Sequence, residues 1–233
     1  MTIFSGLQLY EIVMLVGGCI VFVLGLVVAI VAVVRKESLW KALPPFAIAI
    51  VMIGFPAYTK IQFSKDGIDL EKNTEALLND PENGAKREEV SKEVAKFAQR
   101  PMTDPRTLSI VAKAQIALGD NTAAQENVTR ALTASPQDAK ALSLQKRLEL
   151  DRNLEQLTAT VEKNPSDTTA KSNLNQVVNE ASKLQIASPV TTLNLAKAHA
   201  ALGNADQAGV NMNRAVRINP NLGRAIALPQ RPN

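Results

Sequence analysis

Apolar positions are distributed along this chain in two different ways. From Ile12 to Val34, 23 residues carry no charged or strongly polar side chain, and at about 1.5 Å of rise per residue such a helix crosses a hydrocarbon core of roughly 30 Å. A second apolar run covers Leu43 to Ala57, edged by Trp40 and Tyr58, with Pro44 and Pro45 in a first turn where a missing N–H costs little. Transmembrane helices are predicted over about 12–34 and 42–58. The connection Arg35-Lys36-Glu37-Ser38-Leu39-Trp40-Lys41 is short enough to require an antiparallel hairpin. A secretory signal fits less well, because Met1 to Glu11 has no Lys or Arg and the run is too long. Beyond residue 60 the apolar residues instead recur at helical or alternating spacing among polar ones.

The flanks of the two runs suggest an orientation. Tyr10 and Tyr58 would lie at one interface and Trp40 at the other, as amphipathic rings prefer. Three basic residues in the connection, against none before Tyr10, place the connection in the cytoplasm and the termini outside. Lys60, Lys65 and Lys72, just past the second run, pull the other way. The expectation is an integral protein of a bacterial inner membrane, its larger part on the periplasmic face. Small residues mark packing faces at Gly18, Gly25, Ala29 and Ala32 in the first run and at Ala47 and Gly54 in the second. They pack the hairpin on itself or support a homo-oligomer.

A connector follows over residues 60–103. Lys60 to Glu71 alternates apolar and polar residues on both sides of Asp66-Gly67, a β-hairpin signal over 60–71. A helix from Asp66 to Leu78 is the alternative. Asp80-Pro81-Glu82-Asn83-Gly84 breaks the chain, and Val90, Val94, Ala95, Phe97 and Ala98 place a helix over 88–99.

The most specific signal is an internal repeat. Ala117-Leu118-Gly119-Asp120 with Ala124, Val128, Ala131, Leu132 and Pro136 recurs 84 residues on as Ala201-Leu202-Gly203-Asn204 with Ala208, Met212, Ala215, Val216 and Pro220. Each copy reads as a helix ending at Leu-Gly, a tight turn, a helix with small residues at close approaches, and a stopping proline. The pattern resembles the tetratricopeptide repeat (TPR), with one unit from about Pro105 to Asp138 and another from Pro189 to Leu222. Gln115, Thr192 and His199 stand where that family usually carries aromatics. Ala139 to Pro165 reads as a degenerate middle unit and Thr168 to Leu184 as a further helix. The resemblance implies a TPR-like α-solenoid over 104–233; with the transmembrane helix hairpin over 1–59 read from the apolar runs, the expected fold class is all-α, with only the short ribbon outside it.

Composition narrows the chemistry. Eight of the nine aromatics lie between Phe4 and Phe63, so the repeat region expects thin, alanine-rich packing. One Cys (Cys19) and one His (His199) exclude a disulfide framework and a His-pair metal site, and no phosphate loop, HExxH or nucleophile elbow occurs. Catalytic residues, cofactors and metals are therefore not expected. The net charge of +4 is too mild to suggest nucleic acid. Asn127-Val128-Thr129 is formally a glycosylation sequon, but inside a repeat helix it reads as chance. What remains is a binding surface. In a TPR array the first helices line the concave face, and Lys113, Arg147 and Lys197 occupy equivalent places there, with Arg106 and Lys140 as a second equivalent pair and Ser109 and Asn194 nearby. Such a cation row suits an acidic peptide segment of a protein partner. The expected function is a non-catalytic membrane-anchored adaptor. The alternative is a structural subunit of a homo-oligomeric or larger membrane complex assembled through the hairpin and ribbon. An enzyme or ion pathway ranks below both, since neither apolar run has an internal ionisable residue.

Overall fold

The computed structural model describes residues 9–36, 40, 43–183 and 188–225, and these are all-helical. The helices are α1 (Leu9–Val34), α2 (Leu43–Asn79), α3 (Gly84–Ala98), α4 (Pro105–Leu118), α5 (Asn121–Ala134), α6 (Ala139–Lys163), α7 (Thr168–Ser182), α8 (Pro189–Ala201), α9 (Ala205–Ile218) and α10 (Pro220–Ala225). They divide into two compact units, one of Met1–Ile68 with Ala98–Thr103, the other of Asp69–Phe97 with Asp104–Asn233.

In the first unit, α1 and the apolar part of α2 are each long and apolar enough to cross a membrane. They run antiparallel: Gly18 of α1 meets Met52 and Ile53 of α2, while Gly25 meets Pro45 and Phe46. Glycine allows the first approach, because a Cβ at Gly18 would lie 2.8 Å from Ile53 Cγ1. Phe22 and Phe46 close the contact edge to face, with centroids 5.3 Å apart. Gly18, Gly25 and Ala32 are buried and Ala29 half-buried, so the small residues of α1 share the face turned inward. On α2 the contact within the hairpin uses other positions than the two expected. Ala47 and Gly54 are exposed, and the buried small positions are Ala49 and Pro56. Cys19 is exposed on α1. Farther along, the Arg100 guanidinium lies 5.6 Å from the centroid of the Phe63 ring.

The β-hairpin expected over 60–71 does not form; that stretch is helical and belongs to α2. Period decides it. Phe63, Gly67, Leu70, Thr74 and Leu77 recur at offsets of four and three, and all are buried or half-buried. The alternating reading needed Ile61 and Ile68 on the same face as Phe63 and Leu70, yet they are 69% and 62% exposed while Leu70 is fully buried. No strand occurs among the described residues. Helix α3 starts earlier than the periodicity suggested because Asn83 Oδ1 accepts from Lys86 N at 3.1 Å, capping the turn that Gly84 opens.

The second unit is an array of helical pairs. α4 packs with α5, α6 with α7 and α8 with α9, while α4 lies on α6 and α6 on α8. Side-chain caps fix where the helices begin: Asp104, Asp120, Asp138, Asp167 and Ser188 accept from the backbone N–H three residues on. Each such cap contributes about 1 kcal/mol. Pro105 and Pro189 occupy first-turn positions that suit their fixed φ. One cluster gathers Ala112, Ile116, Ala124, Val128, Leu144 and Leu148. A second gathers Leu154, Val161, Leu174, Val178 and Ala198, among others. Helix α6 contributes to both. The middle of the array is thus the pair α6 and α7, not a short unit followed by a separate helix, because nothing between Ala139 and Lys163 supplies a turn. Leu184 lies outside the described residues.

The two Leu-Gly turns share one backbone solution. Gly119 has φ +94° and Gly203 φ +84°, a left-handed conformation that releases the chain into the next helix. Their surroundings differ. A Cβ at Gly119 would lie 2.8 Å from Pro189 Cγ, whereas nothing lies within 4 Å of one at Gly203. Gly119→Ala is expected to destabilise the protein by about 2 kcal/mol or more and Gly203→Ala by about 1 kcal/mol, from the left-handed penalty alone in the second case. Urea unfolding of both variants, followed by circular dichroism, measures the difference; equal losses would remove the Pro189 contact from the account.

Candidate functional site

Most of the cations expected in an open row already have partners within the chain. Lys113 Nζ lies 3.1 Å from Glu75 Oε1. Lys140 Nζ lies 2.6 Å from Glu71 Oε1, and Arg106 Nη2 lies 3.9 Å from Glu71 Oε2. Glu71 and Glu75 are one helical turn apart on α2, so both point to one side. The Lys140 hydrogen bond, aided by the charges of Lys140, Arg106 and Lys113, holds the Glu71 carboxyl below its usual range. These pairs are half-exposed and worth about 0.2–1 kcal/mol each. Ser109 is buried and donates to Asp138 Oδ1 at 3.4 Å, beside the cap of α6.

Arg147 lies inside the array. It is 4% exposed, and Nη2 donates to Thr191 Oγ1 at 3.3 Å. Desolvation pulls its pKa down to about 10, against the opposing pull of the Asp151 charge. Asp151, one turn along α6, is 3% exposed and accepts from Asn121 Nδ2 at 3.1 Å and from Thr191 Oγ1 at 3.0 Å. Desolvation pushes its carboxyl up, and those two hydrogen bonds and the Arg147 charge resist. Asn194 is buried and donates to the Asp151 carbonyl at 3.4 Å. Arg147 and Asn194 therefore belong to a buried polar seam joining α5, α6 and α8, and only Lys197 of the three-cation row is exposed. Sequence reasoning missed Asp151, Asn121 and Thr191. The available signal was a charged pair, Arg147 and Asp151, lying on the stripe of Leu144, Leu148 and Leu154.

The three positions expected to carry aromatics are polar, and the Thr192 hydroxyl donates to the Ser188 carbonyl at 2.8 Å. Gln115 Oε1 accepts from Asn127 Nδ2 at 2.9 Å, a buried bond across the α4–α5 pair that commits the sequon asparagine to packing. His199 is half-buried; burial pushes its pKa down and Nδ1 has no hydrogen-bond partner. Among the described residues no group of three or more His, Cys, Asp or Glu is placed to hold a metal.

The open part of the seam is a recess. A volume of about 380 Å³ is lined by Asn121, Gln125, Glu126, Asp151, Glu155 and Asn194, among others. A second, of about 180 Å³, is lined by Glu155, Thr158, Ala159, Glu162, Asn194 and Lys197. They share Glu155 and Asn194, so they lie side by side as a cleft-like surface along α6.

Removing one charge of a buried pair strands the other. Asp151→Ala is expected to cost about 3–5 kcal/mol and Arg147→Met about as much, while the double variant should cost less than their sum by about 1–3 kcal/mol. A double-mutant cycle on urea unfolding measures this coupling. Simple additivity would mean that the two charges do not depend on each other.

No family model, curated protein or solved structure matches this chain, so its function is read from its own geometry.

Proposed function

We propose that the protein is a non-catalytic, membrane-anchored adaptor whose helical array has a TPR-like organisation and holds a protein partner. The observation that carries the reading is a contrast within one chain. Helices α1 and α2 expose Val16, Ile20, Leu24, Val27, Ile50, Val51 and many other large apolar side chains, which supports an apolar surrounding such as a bilayer. The array exposes charged and polar residues, with a polar cleft between helices and no metal-ligand group among its described residues. First helices pack on first helices, α4 on α6 and α6 on α8, and α5 and α7 each also touch the first helix of the next pair, which supports a solenoid-like array suited to recognition by surface. The resemblance in the Leu-Gly turns, their following alanines and the stopping prolines supports the same reading.

A second reading, a structural subunit of a homo-oligomeric membrane complex, draws support from the outward Ala47 and Gly54 of α2, small residues left unused by the α1–α2 contact. Site-specific photo-crosslinking in native membranes separates the two. The adaptor reading expects probes at Gln125 and Lys197 to capture a different protein and probes at Ala47 and Gly54 to capture lipid. Capture of further copies of this chain from Ala47 and Gly54, with nothing from the array, would replace it with the subunit reading.

The reading also carries an orientation, with the array on the periplasmic face of a bacterial inner membrane, supported by Arg35, Lys36 and Lys41 in the connection. Protease added to spheroplasts is expected to digest the array. Protection until the membrane is broken would reverse the orientation.

A further inference from the structure

The cleft along α6 has the opposite polarity to the cation row read from the sequence. Asp151, Glu155, Thr158 and Glu162 follow one another at offsets of four, three and four, which puts them on a single stripe of the helix. The stripe begins at the buried Asp151, whose charge Arg147, Asn121 and Thr191 already answer. It continues into the exposed Glu155 and Glu162. Glu126 adds a further carboxylate from α5, and the cations lining the cleft are Arg152 and Lys197, so acid predominates.

Unused hydrogen-bonding groups mark the same place. Threonines inside helices usually satisfy their hydroxyl on the carbonyl one turn back, as Thr129, Thr133 and Thr160 do here at 2.8, 2.8 and 2.9 Å. Thr158 does not. It is 4% exposed, lines the cleft between Glu155 and Glu162, and its Oγ1 has no hydrogen-bond partner. Asn121, at the other end of the cleft, commits Nδ2 to Asp151 and leaves a buried Oδ1 without a donor. A buried polar atom left unmatched costs about 1–3 kcal/mol, so a ligand that supplies the donor recovers that cost.

We propose that this stripe docks a basic peptide segment of a partner protein through arginine side chains. A guanidinium is a fixed charge with five N–H donors in one plane and no acceptor, the complement of a row of carboxylates and unfilled oxygen acceptors. Dimensions set the register. Glu155 and Glu162 are seven residues apart on α6, roughly 10.5 Å at 1.5 Å per residue. In a peptide in the polyproline II conformation, with three residues per turn, residues three apart lie on the same side, roughly 9.3 Å from each other at 3.1 Å per residue. Two arginines separated by two other residues therefore reach both carboxylates, and the recess beside Thr158 lies between them.

The inference rests on the adaptor reading for the source of its ligand, and the two fail separately. The test uses the full chain in nanodiscs of zwitterionic phosphatidylcholine, with a capped, otherwise neutral nonapeptide carrying Arg-x-x-Arg and binding followed by calorimetry. Saturable binding is expected, and the same peptide with citrulline in place of both arginines should bind at least tenfold more weakly. Glu155→Gln with Glu162→Gln should weaken the arginine peptide at least tenfold, and the near-isosteric Thr158→Val about threefold, with circular dichroism unchanged. Glu88→Gln with Glu89→Gln, an equal charge change on exposed residues of α3, should leave affinity unchanged. Equal binding of the citrulline peptide, an equal loss from the α3 pair, or spermidine binding as tightly as the peptide would overturn the proposal, as would no saturable binding. A protein that ignores the peptide yet crosslinks to a different protein through the array loses this inference and keeps the adaptor reading.

Discussion

The helical array depends on one helix belonging to two cores. Leu144 and Leu148 of α6 pack with α4 and α5, and Leu154 and Val161 of the same helix pack with α7 and α8. Between these clusters α6 carries Arg147 and Asp151, which no apolar neighbour can satisfy. Their hydrogen bonds go outward instead, from Asn121 of α5 and from Thr191 of α8. Alanine-rich surfaces such as Ala112, Ala124, Ala131 and Ala198 let helices approach closely but bury little distinctive shape. A polar atom with two fixed donors is more exacting. Sliding α8 by one residue along α6 would take Thr191 away from the Asp151 carboxylate and Asn194 away from its carbonyl, so the seam sets the register that the alanines leave open.

The same contrast decides which parts were legible from sequence. Turn chemistry is local, so the Leu-Gly ends and the stopping prolines were readable one at a time. Pairings between distant segments were not. Equal spacing aligned Lys113, Arg147 and Lys197 on paper, but spacing carries no information about depth. Arg147 sits on the apolar stripe of α6 and goes inward with it, while Lys197 stays in water. Arg106 and Lys140 face Glu71, the last residue of the stretch whose alternation suggested a ribbon, and Lys113 faces Glu75, one turn beyond it. In an extended strand those two carboxylates would be about four residues, roughly 13 Å, apart. In α2 they stack on one face, and that change of period is what turns a predicted row of free cations into an internal ion-pair network.

The apolar helices show a geometric version of the same limit. On α1, Gly18, Gly25 and Ala32 recur every seven residues and mark the contacting face correctly. On α2 two candidate pairs have that spacing, Ala47 with Gly54 and Ala49 with Pro56. They differ by two residues, roughly 200° around the helix at 3.6 residues per turn, so choosing one pair assigns the opposite face. Composition favoured the glycine. Yet Pro56, which removes a donor from the helix interior, is the buried one, and the Thr59 hydroxyl donates to its carbonyl at 2.9 Å. A proline held inside an apolar helix pair is less costly there than at an exposed face, because packing supports the turn whose ladder it interrupts.

Charge in this protein is thus better read by depth than by sequence spacing. Cations near the starts of α4 and α6 are neutralised by α2, and the deepest cation is neutralised within α6. Glu155 and Glu162, on the stripe whose buried end is already balanced, face open space. A chain with a formal charge of +4 therefore carries an acidic cleft where its helices meet. Net charge governs long-range attraction, screened beyond about 10 Å at ordinary ionic strength. Within that distance the local order of oxygens and nitrogens decides what can dock, and along α6 that order is acceptor, acceptor, acceptor.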